Sequence, residues 1–194
     1  MARADFDALT AAPRSHGFHA TLKAPFALRD GATREALVDA LSRFCAARTP
    51  FSLPPFEVDR LDDFLALVPV GRESRVNDLA ADCVRDFDAC RAPLTAQELD
   101  RRRLVGLSAR QDRYLAEWGD PYVLADYRFH IRLTGSLEDA PPHHVTALIA
   151  AARDALAALN TKPMRVDAVC LFEQPDRERP FRLTRRFRFR GKRR

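Results

Sequence analysis

Long apolar runs are missing from this chain. No stretch approaches the ~18 consecutive apolar residues of a membrane span, and the opening residues MARADFDALTAAPRSHG lack the apolar core of a secretory leader. A cytoplasmic protein that does not enter the membrane is the expectation. Cysteine is scarce as well. Cys45, Cys83, Cys90 and Cys170 stand apart with no C-x-x-C pair, which argues against a disulfide framework or a zinc ribbon and for buried free thiols. Excess positive charge is absent from most of the molecule. The formal charge is +5, but Arg185, Arg186, Arg188, Arg190, Lys192, Arg193 and Arg194 crowd the C-terminus; without them it is −2. A basic surface wrapped around nucleic acid is therefore not expected.

What is present is a soluble globular composition, 46% hydrophobic and 30% charged over 194 residues, enough for one domain or two small lobes around a core. Helical periodicity predicts helices over residues 33–48, 75–88 and 142–159. Thr95-x-x-Glu98 and Ser108-x-x-Gln111 are capping-box signatures of two short helices between the second and third. A short helix through Phe6 and Leu9 is expected at the start. Alternation predicts strands at Phe18–Leu22 and Arg128–Thr134, a hairpin of Phe56–Leu61 with Phe64–Val68, and a second hairpin of Met164–Phe172 with Phe181–Phe189.

Both halves repeat one order: a strand carrying Phe-His, a loop, an amphipathic helix, then a hairpin whose first strand contains Val-Asp. His19 precedes Val58 by 39 residues and His130 precedes Val166 by 36. An internal duplication of a strand-helix-strand-strand unit follows. Lobe one would span about residues 13–72, a helical insert 73–120, lobe two 121–190 and a basic tail 191–194.

Strand alternation puts His19, Thr21 and Lys23 on one face in the first half, and His130, Arg132 and Thr134 on one face in the second. An imidazole, a hydroxyl and a cation in each half suit a phosphoester. Two histidines can serve as general base and general acid on either side of phosphorus, while hydroxyls and cations hold its oxygens. Neither a metal nor a cofactor is required. His143 and His144 read as a solvated helix start, since no third ligand at zinc spacing accompanies them. His16 reads as loop surface, the Arg101-Arg102-Arg103 run as a solvated face, and Tyr122 as either core or cleft lining.

The two histidine strands resemble those of the two-histidine (2H) phosphoesterase superfamily. Gly17-Phe18-His19-Ala20-Thr21-Leu22-Lys23-Ala24-Pro25-Phe26, Phe64-Leu65-Ala66-Leu67-Val68-Pro69, Arg91-Ala92-Pro93-Leu94, Tyr127-Arg128-Phe129-His130 and Arg165-Val166-Asp167-Ala168-Val169-Cys170-Leu171-Phe172 are similar to its branch assigned to phosphonate metabolism. The resemblance implies an α+β fold of duplicated, bilobal units with antiparallel sheets facing a central cleft. It implies a phosphoric diester hydrolase, with His19 and His130 catalytic and Thr21, Arg132, Thr134 and Lys23 on substrate phosphate. The implied substrate is a small phosphorylated ribose or nucleotide, or an RNA end. Two features depart from the family. Its second motif reads H-x-T-L-T, and Arg132 stands at the first Thr; and where members open with a further strand, the residues before His19 read as helix. The alternative is a catalytically degenerate phosphate- or RNA-binding module using the same cleft and the basic tail.

Overall fold

The computed structural model describes residues 2–71, 73–176 and 178–191. The protein is mixed α+β with antiparallel sheets. In chain order its elements are α1 (Arg3–Leu9), α2 (Ala11–His16), α3 (Arg34–Ala46), β1 (Phe51–Leu53), β2 (Phe56–Leu61), β3 (Phe64–Pro69), α4 (Ser74–Asp86), α5 (Ala96–Arg103) and α6 (Ala109–Trp118). There follow β4 (Ile131–Arg132), α7 (Pro142–Ala155), β5 (Met164–Val166), β6 (Ala168–Glu173) and β7 (Arg182–Arg188).

The chain divides into two compact units that are not consecutive stretches. One comprises Met1–Ala20, Cys45–Arg72 and His130–Arg194; the other comprises Thr21–Phe44 and Glu73–Phe129. These units cut across the expected lobe boundaries, and both hairpins fall in the first. Of the expected basic tail, only Gly191 lies within the described residues, and its N–H donates to Arg48 O at 2.8 Å. A Cβ on Gly191 would lie 2.8 Å from the Arg48 carbonyl carbon, so no larger residue passes there without backbone movement.

In the first unit, β2, β3 and β4 form one antiparallel sheet, with Val58 opposite Leu67 and Ala66 opposite Arg132. Phe56 and Val58 are buried while Glu57 and Asp59 are exposed, the alternation of a half-covered sheet. Asp62 takes φ 50° at the β2–β3 turn, a conformation Asp tolerates better than most side chains. Two smaller antiparallel pairs are β1 with β5 and β6 with β7. Leu65, Leu137, Val145 and Leu148 make a buried cluster joined by Phe6 and Leu9, so α1 and α7 cover this core.

The second unit is helical. Val76, Leu79, Ala80, Cys83 and Val84 form the buried stripe of α4, and Phe44 packs on Phe87 with ring centroids 5.0 Å apart. Both capping boxes are present: Thr95 caps α5 with Glu98, and Ser108 caps α6 with Gln111. No helix among the described residues is long and apolar enough to cross a membrane.

Three expected strands differ. The expected Met164–Phe172 strand is broken in two: Met164–Val166 pair with β1, and the hairpin with β7 begins only at Ala168. Residues 17–27 form no strand, and of the expected Arg128–Thr134 only Ile131–Arg132 pairs in a ladder. Alternation shows which side chains could share a face, but a strand also needs a partner edge. In the Phe18–Leu22 segment no such edge is engaged. Cys170 is another departure, exposed where a buried thiol was expected; Cys45 and Cys83 are buried.

Candidate active site

His19 follows a helix stop. Helix α2 ends at Gly17, whose φ of 78° is the left-handed conformation glycine supplies without a Cβ penalty. Beyond that turn the half-buried His19 ring folds back so that Nδ1 lies 3.0 Å from Gly17 O. A carbonyl only accepts, so Nδ1 is the donor in this contact. The ring lies against Phe172 of β6 at 5.2 Å between centroids, with His16 6.2 Å away on a stacked ring.

His130 enters immediately before β4, half-buried, its ring 5.4 Å from the Phe64 ring. The Arg132 guanidinium lies over that same Phe64 ring at 4.1 Å. Phe64 thus gives the imidazole and the cation a common platform, and the exposed guanidinium is further fixed by Nε donating to Thr134 O at 2.8 Å. Its terminal nitrogens carry four more N–H groups suited to a phosphate. A recess of about 500 Å³ lies in the same unit; Phe18, next to His19, and Ile131, next to His130, both line it, with Phe56, Leu159 and Met164.

Thr134 has a different position from the one alternation suggests. It is 2% exposed, accepts the Leu65 N–H at 2.9 Å and donates to Gly135 O at 2.9 Å. Its hydroxyl closes the ladder between β3 and the segment after β4, where Leu65 O also receives the N–H of Leu133.

Thr21, Lys23 and Tyr122 belong to the second unit. Lys23 is drawn inward: its side chain is 9% exposed and its ammonium donates to Asp88 Oδ1 and Val84 O, both at 3.1 Å. Burial lowers the Lys23 pKa, and Asp88 offsets part of that. Burial alone would raise the Asp88 carboxyl, but hydrogen bonds from Arg91 and Lys23 outweigh it and hold the group below its ordinary value. Thr21 is exposed, and its carbonyl accepts the hydroxyl of the half-buried Tyr127 at 2.9 Å. Tyr122 is exposed, its N–H bound to Asp120 Oδ1 at 2.7 Å, and burial raises the Asp120 carboxyl. Among the described residues there is no group of three or more His, Cys, Asp or Glu arranged to hold a metal ion.

Residues 21–182 match the model of a family described as protein of unknown function, DUF1045. The chain belongs to the DUF1045 family. Two curated relatives are each named ribose 1,5-bisphosphate phosphokinase PhnN. That of Janthinobacterium sp. (strain Marseille) is 42% identical over 184 residues, and that of Laribacter hongkongensis (strain HLHK9) 36% over 182. Each alignment covers 94% of this chain but 41% of the relative, so the chain spans well under half the length of either. The DUF1045 match takes in His130 and Arg132 and begins two residues after His19. Composition and periodicity single out neither Phe64 nor Phe172, the rings on which the two histidines of this DUF1045 chain rest. Both lie in segments that resemble the two-histidine family, each an aromatic near the turn end of a hairpin strand, but which distant histidine each meets is set by packing.

Proposed function

We propose that the chain is a two-histidine phosphodiesterase that opens a cyclic phosphate on ribose within phosphonate metabolism. The observation that carries this reading is that His19 and His130, far apart in sequence, fall in one compact unit, each against a hairpin phenylalanine. One neutral imidazole takes a proton from water as its oxygen bonds to phosphorus. The other, protonated, gives its proton to the departing ribose oxygen as that P–O bond breaks, and a phosphomonoester remains. In this reading the Arg132 guanidinium donates to the non-bridging oxygens as charge grows on them. No step passes through a metal.

The relatives' name suggests the substrate. Ribose 1,5-bisphosphate is what results when water opens a ribose 1,2-cyclic phosphate at O2 on a sugar already bearing a 5-phosphate. A hydrolase of that diester would supply the compound the relatives are named for phosphorylating. Phosphokinase chemistry itself is not proposed for this chain, whose seven glycines include no G-x-x-x-x-G-K-[ST] phosphate loop.

The test is hydrolysis of a panel of cyclic phosphates by the purified protein in EDTA. Turnover of the ribose 1,2-cyclic phosphate, abolished in both His19→Ala and His130→Ala, is the expected result. Turnover that survives either substitution would sink the paired mechanism, and binding without turnover would make the chain a phosphate-binding module.

A further inference from the structure

Resting on that reading, we infer that Arg186 and Arg188 form a subsite for a second, terminal phosphate on the substrate. The register of the β6–β7 pair sorts its side chains onto two faces. Cys170 lies opposite Arg186 and Ala168 opposite Arg188, while Val169 lies opposite Phe187. Val169 and Phe187 are buried, so Cys170, Ala168 and the two arginines occupy the other face.

A bulge between Leu171 and Phe172 gives β7 one extra residue, Thr184, and past it Phe172 lies opposite Leu183. Counting along β6 from Cys170 returns Phe172 to the exposed face. The 55% exposure of Leu183 agrees. His19 rests its ring on Phe172. One face of this ribbon therefore carries the His19 ring, then Arg186, then Arg188, successive pairs about 7 Å apart.

The other hairpin distinguishes which histidine has the phosphate beside it. Phe64, which carries His130, shares its face of β2–β3 with Ala66 and therefore with Asp59 and Glu57, opposite Ala66 and Val68. Arg132, opposite Ala66 on that face, is the cation already assigned to the scissile phosphate, and the Glu57 and Asp59 carboxylates leave no excess of positive charge there for a second phosphate. On the β6–β7 face the same position holds two guanidinium groups. Asp167 accepts from Arg186 Nη2 at 2.6 Å, which orients the fork and leaves its remaining N–H groups to an anion. Arg185, in contrast, lies over the Phe187 ring at 5.1 Å and belongs to the covered face. The ligand class is a phosphomonoester on the sugar, held on the His19 side of the scissile diester.

Ribose 1,2-cyclic phosphate with and without a 5-phosphate tests this. In the double variant Arg186→Gln/Arg188→Gln, the kcat/KM ratio of phosphorylated over unphosphorylated substrate should fall at least about tenfold, the loss of charge-assisted hydrogen bonds. Arg182→Gln, across the bulge on the other face, should leave the ratio unchanged. Calorimetric titration with ribose 5-phosphate reads the subsite apart from turnover: binding should persist in His19→Ala and weaken in the double variant. Equal loss on both substrates, or ribose 5-phosphate binding indifferent to the arginines, overturns the subsite. Arginine-dependent binding by a wild type that turns over neither diester would uphold the subsite and refute the hydrolase reading.

Discussion

Replacing Thr134 with Val keeps the shape of the side chain and deletes only its hydroxyl. That hydroxyl is the acceptor for the Leu65 N–H and a donor to Gly135 O, and Leu65 and Thr134 are 1% and 2% exposed. Water cannot take over at that depth, so the substitution strands a buried N–H at a cost of ~1–3 kcal/mol, with a further ~0.5–1.5 kcal/mol for the second bond. A total of ~2–4 kcal/mol is a large share of the stability of a domain this size. Thr134→Ser keeps both bonds and loses one methyl, about 1 kcal/mol. The order wild type, Ser, Val in urea midpoint by far-UV circular dichroism is therefore expected, with exchange at the Leu65 amide accelerated at least ~30-fold in Val. Trp118, the single tryptophan, lies in the other compact unit and would report on the wrong part. A Thr134→Val protein within ~0.5 kcal/mol of wild type would refute the staple. So would a raised KM at unchanged stability, which would return Thr134 to phosphate binding.

Asp88 gives a pH prediction. Its carboxyl is held below its ordinary value, so its stabilisation is complete above that value and is lost as pH falls through the depressed one, below about pH 4. Asp88→Asn should lower the neutral-pH urea midpoint, read by Trp118 fluorescence, and flatten the loss of stability below about pH 4. Gly119 takes φ 75° at the α6 C-terminus, and a Cβ there would come 2.9 Å from Arg91 Nη1. Gly119→Ala should cost ~1–2 kcal/mol in thermal or urea unfolding, and adding Arg91→Ala should not rescue it because the backbone strain remains. Arg132→Ala should lower kcat on a cyclic phosphate about 10- to 100-fold, while unfolding changes by no more than ~1 kcal/mol, the worth of an exposed cation–ring contact. Equal losses in stability and rate would assign Arg132 to the fold instead.

Elements written in local sequence were readable without the structure. The two capping boxes need only a hydroxyl and a carboxylate or amide three residues apart, and both form as expected. Helices α3, α4 and α7 follow from apolar spacing, and the β2–β3 hairpin from alternation around Asp62-Asp63. Non-local partners were not readable. Lys23 alternates in step with His19 and Thr21, yet its ammonium is held by Asp88, 65 residues along the chain, because a buried cation takes the nearest carboxylate that folding brings to it. Thr134 alternates with His130 and Arg132, yet its hydroxyl closes a backbone bond to Leu65, 69 residues away. The Phe18–Leu22 alternation produced no strand, since a ladder requires an edge as well as a pattern. By itself the sequence determined helices α3 to α7, the β2–β3 hairpin and the β6–β7 part of the second hairpin, and it offered the pair of histidines as candidates. The tertiary structure alone decided which polar side chains near them are committed to internal partners and which aromatic ring each imidazole rests on. Those choices depend on what is left unsatisfied once distant segments meet, a quantity no local window contains.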